Sequence, residues 1–275
     1  MKQRILTALI LTPIAIAIIL LLPTPAFATV VALAFLLALW EWTRLVGVDA
    51  PATRVATIVL GAGAFAALWW CREQPVWWWV IGAGLVWWLL ALAWLRHFSF
   101  AASPTPRNHA LKLASGFAVI VPAWVALIEL HGSGPQGHAW TLFALLLIWV
   151  ADSFAYFVGS RYGKTKLAPR ISPGKTIEGA WGALIGAALV AAVGGWLLGG
   201  RGMALALLLA VAVLTVVFSI IGDLFESLLK RQANVKDSGA LFPGHGGLLD
   251  RLDSVFAAMP VFVGGKALID LLLPA

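Results

Sequence analysis

Cysteine and charge are both scarce in this chain of 275 residues. The single cysteine, Cys71, excludes an internal disulfide framework and a cysteine-rich metal site. Charged residues make up only 11% of the chain, against about 25% in a typical soluble domain. Because 61% of the residues are hydrophobic, too little charge remains to build a soluble surface. The composition therefore predicts an integral membrane protein.

Long apolar runs make up most of the sequence. Nine of them are long enough to cross about 30 Å of hydrocarbon, at roughly 5–22, 26–40, 55–71, 76–95, 112–130, 139–158, 177–199, 203–222 and 254–272. A segment in lipid must satisfy its own backbone hydrogen bonds, so each run is expected to be a helix. The first run is longer than the apolar core of a signal peptide and is expected to be retained.

We therefore predict an all-α, polytopic membrane protein with about nine transmembrane helices. A single membrane domain would span residues 1–275, with N-terminal helices over about 1–130 and a catalytic portion over about 139–275. Eight tryptophans fall near predicted span ends: Trp40, Trp42, Trp69, Trp70, Trp77, Trp78, Trp79 and Trp94. Indoles are enriched at membrane interfaces, so we expect these residues to anchor the helices there.

The basic residues are distributed unevenly between the two sides of the predicted membrane. With the N-terminus in the cytoplasm, 16 of the 19 lysines and arginines lie inside, and only Arg72, Arg201 and Lys266 lie outside. The net charge of +7 then reflects loops that face anionic lipid. No nucleic-acid motif accompanies this charge, so the expected partner is the lipid bilayer and no nucleic acid.

Two polar segments interrupt the apolar sequence, at residues 151–179 and 222–254. Both fall on the predicted cytoplasmic side, and together they carry nine of the 19 basic residues and seven of the 12 acidic ones. The acids are Asp152, Glu178, Asp223, Glu226, Asp237, Asp250 and Asp253. Such a concentration of charge in an apolar chain is the strongest indication of a functional site.

The aspartates of the second segment have a spacing that suits a metal ion. Asp223 falls at the end of an apolar span, and Asp250 and Asp253 would share one helix face. Acids at a membrane boundary are costly unless something compensates them. Hard carboxylate oxygens favour Mg²⁺, which we predict is held by Asp223 and Asp250. A structural lattice of salt bridges is the alternative.

Phosphate is the expected ligand of the basic residues and glycines. Lysine and arginine neutralise phosphate oxygens, and Gly246 and Gly247 would let backbone N–H groups approach them. His245 lies among these glycines as a general base or a donor to phosphate. The two Gly-Lys-Thr tripeptides are not Walker A loops, because Val158 and Pro169 stand where the first glycine is needed.

These residues also match the motif of a known family. Residues 227–253 carry the pattern S-x-x-K-R-x4-K-D-x5-P-x-H-G-G-x-x-D-R-x-D, which resembles the motif of the bacterial phosphatidate cytidylyltransferases. Residues 166–179, K-L-A-P-R-x-S-P-G-K-T-x-E-G, are similar to that family as well. Residues 152–156, D-S-x-A-Y, also resemble it, except that Phe154 stands where the family usually has glycine.

The resemblance implies that CTP and phosphatidate react to give CDP-diacylglycerol and pyrophosphate, a step of phospholipid biosynthesis in the bacterial inner membrane. It implies Mg²⁺ and allows a second, monovalent cation. A homodimer is a further candidate assembly, which the resemblance does not address. Its candidate catalytic residues are Asp223, Asp250, His245, Lys236 and Arg251. The candidate substrate-binding residues are Lys230, Arg231, Ser227, Gly246, Gly247, Lys175 and Ser172. The candidate metal residues are Asp223, Asp250, Asp253 and Asp237.

Other functions make different demands on the sequence. A CDP-alcohol phosphotransferase needs a motif that begins with Asp-Gly, and this chain has no such dipeptide. A CTP-dependent lipid or polyprenol kinase would share the nucleotide site and differ in its acceptor. A transporter would place ionisable residues in the middle of its spans, whereas the acids here cluster at the predicted cytoplasmic end.

Overall fold

The computed structural model describes residues 2–241 and 246–274, with side chains from Leu11 onward. Within these ranges the chain forms nine α-helices and one two-stranded hairpin. The helices are α1 (Lys2–Leu21), α2 (Thr24–Leu45), α3 (Pro51–Trp70), α4 (Val76–Arg96), α5 (Pro106–His131), α6 (Gly137–Tyr162), α7 (Ile177–Leu197), α8 (Gly202–Gln232) and α9 (Leu249–Leu272). The strands are β1 (Lys166–Ala168) and β2 (Ser172–Thr176).

The helices confirm the prediction of an all-α, polytopic membrane protein. In the described part of the chain, α2 to α9 are each long and apolar enough to cross a membrane. The described part of α1 contributes a shorter apolar stretch, Leu11–Leu21. Exposed leucine, valine and tryptophan side chains on the outer faces of these helices suit contact with lipid rather than water.

Two helices extend well beyond the predicted apolar runs. The run at 203–222 continues as α8 to Gln232, and α9 begins at Leu249 instead of at 254. The additional turns are polar, yet their side chains pair with one another: Lys230 contacts Glu226 one turn earlier and also contacts Asp250. Hydropathy does not detect these turns, because their residues are charged. The helix continues through them because the charges pair within the protein.

The hairpin between α6 and α7 connects the first polar segment to the rest of the fold. β1 and β2 pair antiparallel, with Lys166 opposite Thr176. Thr176 ends β2 and caps α7, since its side chain accepts a hydrogen bond from the backbone N–H of Gly179 at 3.1 Å. The cap fixes the position of the preceding residue, Lys175, relative to α7.

Phe154, the departure from the family pattern, is accommodated by glycines of α7. A Cβ atom at Gly186 would lie 2.9 Å from Cγ of Phe154, and one at Gly182 would lie 3.0 Å from its carbonyl oxygen. The missing side chains on α7 therefore leave room for the phenyl ring of α6. This close approach makes the α6–α7 contact one of the most extensive in the molecule.

The predicted role of three tryptophans as interfacial anchors is wrong. Trp42, Trp77 and Trp94 are buried, and each is no more than 6% exposed. Trp42 and Trp94 pack against Phe225 of α8, and Trp42 donates its indole N–H to the carbonyl of Lys112 at 2.9 Å. These rings fill the interior of the bundle instead of lying at its lipid boundary.

Candidate active site

A cavity of about 1080 Å³ has two chemically different ends. One end is apolar and is formed by helices α1, α2, α5 and α6, with Leu11, Ile14, Ile18, Val30, Val31, Ala34, Phe35, Leu127 and Leu145 among its residues. The other end is charged and is formed by α6, β2, α8, α9 and the chain before α9. Its ionisable residues are Asp152, Lys175, Asp223, Lys230, Asp237, Asp250, Arg251 and Asp253.

An ion pair joins the two polar segments at the charged end. Lys175 of β2 pairs through Nζ with Oδ2 of Asp223 on α8. The other oxygen of Asp223 accepts a hydrogen bond from the hydroxyl of Ser227, one turn later, at 3.3 Å. Both segments were predicted to lie on the cytoplasmic side, and this contact shows that they meet.

Lys230 forms a second charged group, between two carboxylates. Its Nζ lies 2.6 Å from Oε2 of Glu226 and 2.6 Å from Oδ1 of Asp250. All three side chains are largely buried, with Glu226 only 2% exposed. The ammonium group therefore neutralises two acids that have little contact with water, and it ties α8 to the start of α9.

The second oxygen of Asp250 holds the chain that precedes α9. Oδ2 accepts hydrogen bonds from the backbone N–H of Ser238 at 3.0 Å, the hydroxyl of Ser238 at 2.9 Å and the backbone N–H of Gly247 at 2.7 Å. Gly246 has a φ of +79°, which glycine adopts readily, and a Cβ there would lie 2.6 Å from the same oxygen. The N–H of Gly247, predicted to approach phosphate, is here donated to Asp250.

The remaining acids of the cavity lie close enough to share their charges. Asp152 interacts electrostatically with Asp223, Lys175 and Arg251, and Asp253 interacts with Asp223 and Glu226. Asp253 also accepts a hydrogen bond from the backbone N–H of Ser254 at 2.6 Å. The acids outnumber the lysines and arginines that line the cavity, so its charged end favours the entry of a cation.

The carboxylates of the cavity suit a Mg²⁺ ion that takes only some of its ligands from the protein. Over residues 2–241 and 246–274, no three histidine, cysteine, aspartate or glutamate side chains form a ready-made metal cluster. Mg²⁺ commonly takes only one or two protein carboxylates and completes its shell with water and substrate phosphates. The hard oxygens of Asp223 and its neighbours fit that pattern. The alternative lattice of ion pairs is also present in part, through Lys175 and Lys230.

Several predicted site residues lie away from the cavity lining. Arg231 donates its Nε–H to the carbonyl of Ile171, at the turn of the hairpin, at 3.2 Å. Ser172 lies in β2 opposite Ala168, and Lys236 is exposed, one residue before Asp237. None of these three lines the cavity, and His245 lies outside the residues that the structure describes.

Three further residues belong to the site but carried no predicted role: Glu226, Ser238 and Glu41. Glu226 precedes Lys230 by four residues, so its helical spacing could have indicated the pair. Ser238 lies inside the motif but outside its fixed positions. Glu41 belongs to α2 and accepts a hydrogen bond from the backbone N–H of Leu249, 208 residues later. No local pattern connects residues so far apart.

Comparisons with known proteins agree on one family. The family model described as "Cytidylyltransferase family" matches residues 2–265. The chain is 41% identical over 262 residues to the phosphatidate cytidylyltransferase of Pseudomonas aeruginosa, and the match covers 95% of each chain. It is 36% identical over 288 residues to the enzyme of that name from Haemophilus influenzae, covering 95% of this chain and 97% of the other.

Proposed function

The chain belongs to the cytidylyltransferase family, and we propose that it transfers the cytidylyl group of CTP to phosphatidate, giving CDP-diacylglycerol and pyrophosphate. The observation that carries this proposal is the cavity, which joins an apolar wall to a charged end. The acyl chains of phosphatidate would lie along the apolar wall, and its phosphate would lie at the charged end. CTP is a polyanion that needs the cationic groups and the metal of the charged end.

The reaction needs no nucleophile from the protein. An oxygen of the phosphatidate phosphate attacks the α-phosphorus of CTP, the bond from that phosphorus to the bridging oxygen breaks, and pyrophosphate leaves. The protein contributes by holding two anions together and by neutralising them. Lys175, Lys230 and Arg251 line the cavity beside the acids and would contact the phosphates.

The acids would hold Mg²⁺, which would neutralise phosphate oxygens of the substrates and so stabilise the charge that develops during transfer. Asp223 and Asp250 would supply its protein oxygens, with Asp253 and Asp237 in support, since all four line the same cavity. Lys175 and Lys230 pair with Asp223 and Asp250 and so hold these carboxylates in place within the charged end. They can exchange their carboxylate partners for phosphate oxygens when substrate enters.

The proposed location is the inner membrane of a bacterium, with the charged end of the cavity facing the cytoplasm. Both relatives named above are bacterial. The excess of lysine and arginine on the side of the two polar segments favours a cytoplasmic orientation. That orientation suits both substrates, because CTP is aqueous and phosphatidate remains in the bilayer.

The proposal is tested by turnover of the detergent-purified protein with radiolabelled CTP, phosphatidate and Mg²⁺. Wild type should form CDP-diacylglycerol, and EDTA should abolish the product until Mg²⁺ is restored in excess. Asp250→Asn should lower kcat by about a hundredfold or more, because charge and positioning are both lost. A folded wild-type protein that ignores phosphatidate but transfers label to a polyprenol would overturn the proposal.

A further inference from the structure

A carboxylate from the N-terminal half, that of Glu41, lies against Ser238 and against the first residue of α9. Glu41 of α2 is only 8% exposed. Its Oε2 accepts the backbone N–H of Leu249, the first residue of α9, at 2.7 Å, and it lies 3.3 Å from the hydroxyl of Ser238. A negative charge at the N-terminus of a helix is favourable, so Glu41 caps α9 from another part of the chain.

Two glycines leave the space that this carboxylate occupies. A Cβ atom at Gly247 would collide with Oε2 of Glu41 and equally with the hydroxyl of Ser238, and one at Gly239 would collide with Oε1 of Glu41. Neither Gly239 nor Gly247 has the positive φ that would itself require glycine. Close approach of the Glu41 carboxylate accounts for glycine at 239, and the carboxylate together with the Ser238 hydroxyl accounts for glycine at 247.

The contacts of Glu41 lead directly to Asp250. Ser238, beside Glu41, donates both its backbone N–H and its hydroxyl to Oδ2 of Asp250. Leu249, held by Glu41, immediately precedes Asp250. Glu41 thus fixes Ser238, which donates to Asp250, and the backbone of Leu249, which leads into Asp250. Asp250 in turn holds Lys230.

We infer that Glu41 is a positioning residue for cytidylyl transfer. From α2 it holds Ser238 and Leu249 so that Asp250 and Lys230 face the cavity. Glu41 itself does not line the cavity, so it acts through these residues and not on the substrates. This inference rests on the proposed function, because its effect is read in that reaction.

The test is the steady-state kinetics of Glu41→Gln, which keeps the size of the side chain and removes its charge. We expect kcat to fall by about tenfold to a hundredfold, because a displaced Asp250 misplaces the reacting groups. The KM for CTP should change by less than about threefold, since Lys175 pairs with Asp223 and is held independently of Glu41. If wild type turns over and the kcat of Glu41→Gln is unchanged, the inference is overturned and the proposed function stays intact.

A double-mutant cycle tests whether Glu41 acts through Ser238. Ser238→Ala should lower kcat on its own, and the double variant should lose much less than the product of the two single losses. Independent, multiplicative losses would contradict the relay. If Glu41→Gln does not fold, Ser238→Ala remains informative, because an unchanged kcat in that variant also overturns the inference.

Two control variants separate positioning from general loss of stability. Thr24→Val removes the 3.0 Å hydrogen bond between Thr24, at the opposite end of α2 from Glu41, and the buried ring of His131. It should lower the thermal unfolding midpoint while kcat is unchanged. Glu73→Gln removes a carboxylate that is 83% exposed and should change neither. If Thr24→Val lowers kcat as much as Glu41→Gln, general destabilisation explains both and the inference fails.

Discussion

Lys230 shows how strongly burial changes the importance of a single charge. Its ammonium group lies 2.6 Å from carboxylate oxygens of Glu226 and Asp250, and both acids are less than a tenth exposed. A buried acid without a counter-charge is far more costly than an exposed one. The lysine is therefore needed for the stability of the site as well as for the phosphates it would contact.

Replacement of this lysine should cost much more stability than replacement of a similar lysine elsewhere. Lys230→Met leaves two buried carboxylates uncompensated and should lower the free energy of unfolding by about 3–5 kcal/mol. Lys266→Met is the matched control: Lys266 is 15% exposed against 14%, and its partner Asp270, also 2.6 Å away, is 61% exposed.

Loss of the control pair, together with the contact of Lys266 with Trp140, should cost only about 1–2 kcal/mol. Thermal unfolding of both variants in the same detergent gives the comparison. Equal losses of stability in the two variants would contradict the account of Lys230.

Most of the charged residues at the cavity could be predicted from the sequence, and the reasons are local. Asp223 follows an apolar run, Asp250 and Asp253 are three residues apart, and both polar segments lie on one predicted side. The carboxylate of Glu41 could not be predicted, because its partners are about 200 residues away. Its position depends on how α2 packs, which apolar periodicity does not specify.

At the scale of elements, the apolar runs predict the helices but not where the helices end, and they do not predict the hairpin. The strands have three and five residues, and β2 contains both proline and glycine, which are unusual in a strand. The hairpin is held by contacts from other elements: Arg231 of α8 donates to the carbonyl of Ile171, and Thr176 caps α7. These contacts, rather than strand propensity, place Lys175 opposite Asp223.

The close contact between α6 and α7 should not tolerate an added methyl group at Gly186. Gly186→Ala places a Cβ against the ring of Phe154 and should destabilise the protein by about 1–3 kcal/mol. The loss should be much smaller in a Phe154→Ala background, where the obstructing ring is absent. Thermal midpoints of the four proteins in the cycle measure this coupling.

Gly82→Ala is the control for this cycle, because a Cβ at Gly82 meets no heavy atom within 4 Å. Alanine is the better helix former, so this variant should be as stable as wild type or slightly more stable. If Gly186→Ala costs the same with and without Phe154, the proposed packing is wrong.

At the scale of the whole molecule, the cavity combines parts that lie far apart in the sequence. Its apolar wall comes largely from α1 and α2, while its charged end comes from α6, the hairpin, α8 and α9. The sequence predicted the charged end and nine helices, which is the number that the described part of the chain forms. It could not predict which apolar helices form the wall, because their compositions are alike and only packing distinguishes them.

Blocking the apolar wall should affect one substrate and spare the other. Ala34→Trp places an indole in the apolar half of the cavity and should raise the KM for long-chain phosphatidate by about tenfold. The KM for CTP should be unchanged. Leu33→Trp is the control, because Leu33 precedes Ala34 and its side chain is 59% exposed. This variant should leave the KM for phosphatidate and the KM for CTP unchanged. A higher KM for CTP alone would contradict this assignment of the two ends.

The most direct test of the central claim follows the fate of individual phosphorus atoms. Purified protein, phosphatidate and Mg²⁺ are incubated in parallel with CTP that carries radioactive phosphorus at either the α or the γ position. Cytidylyl transfer predicts label in the lipid product from the α position only, with the γ label released in pyrophosphate. Label from the γ position in the lipid would show a CTP-dependent kinase and contradict the account.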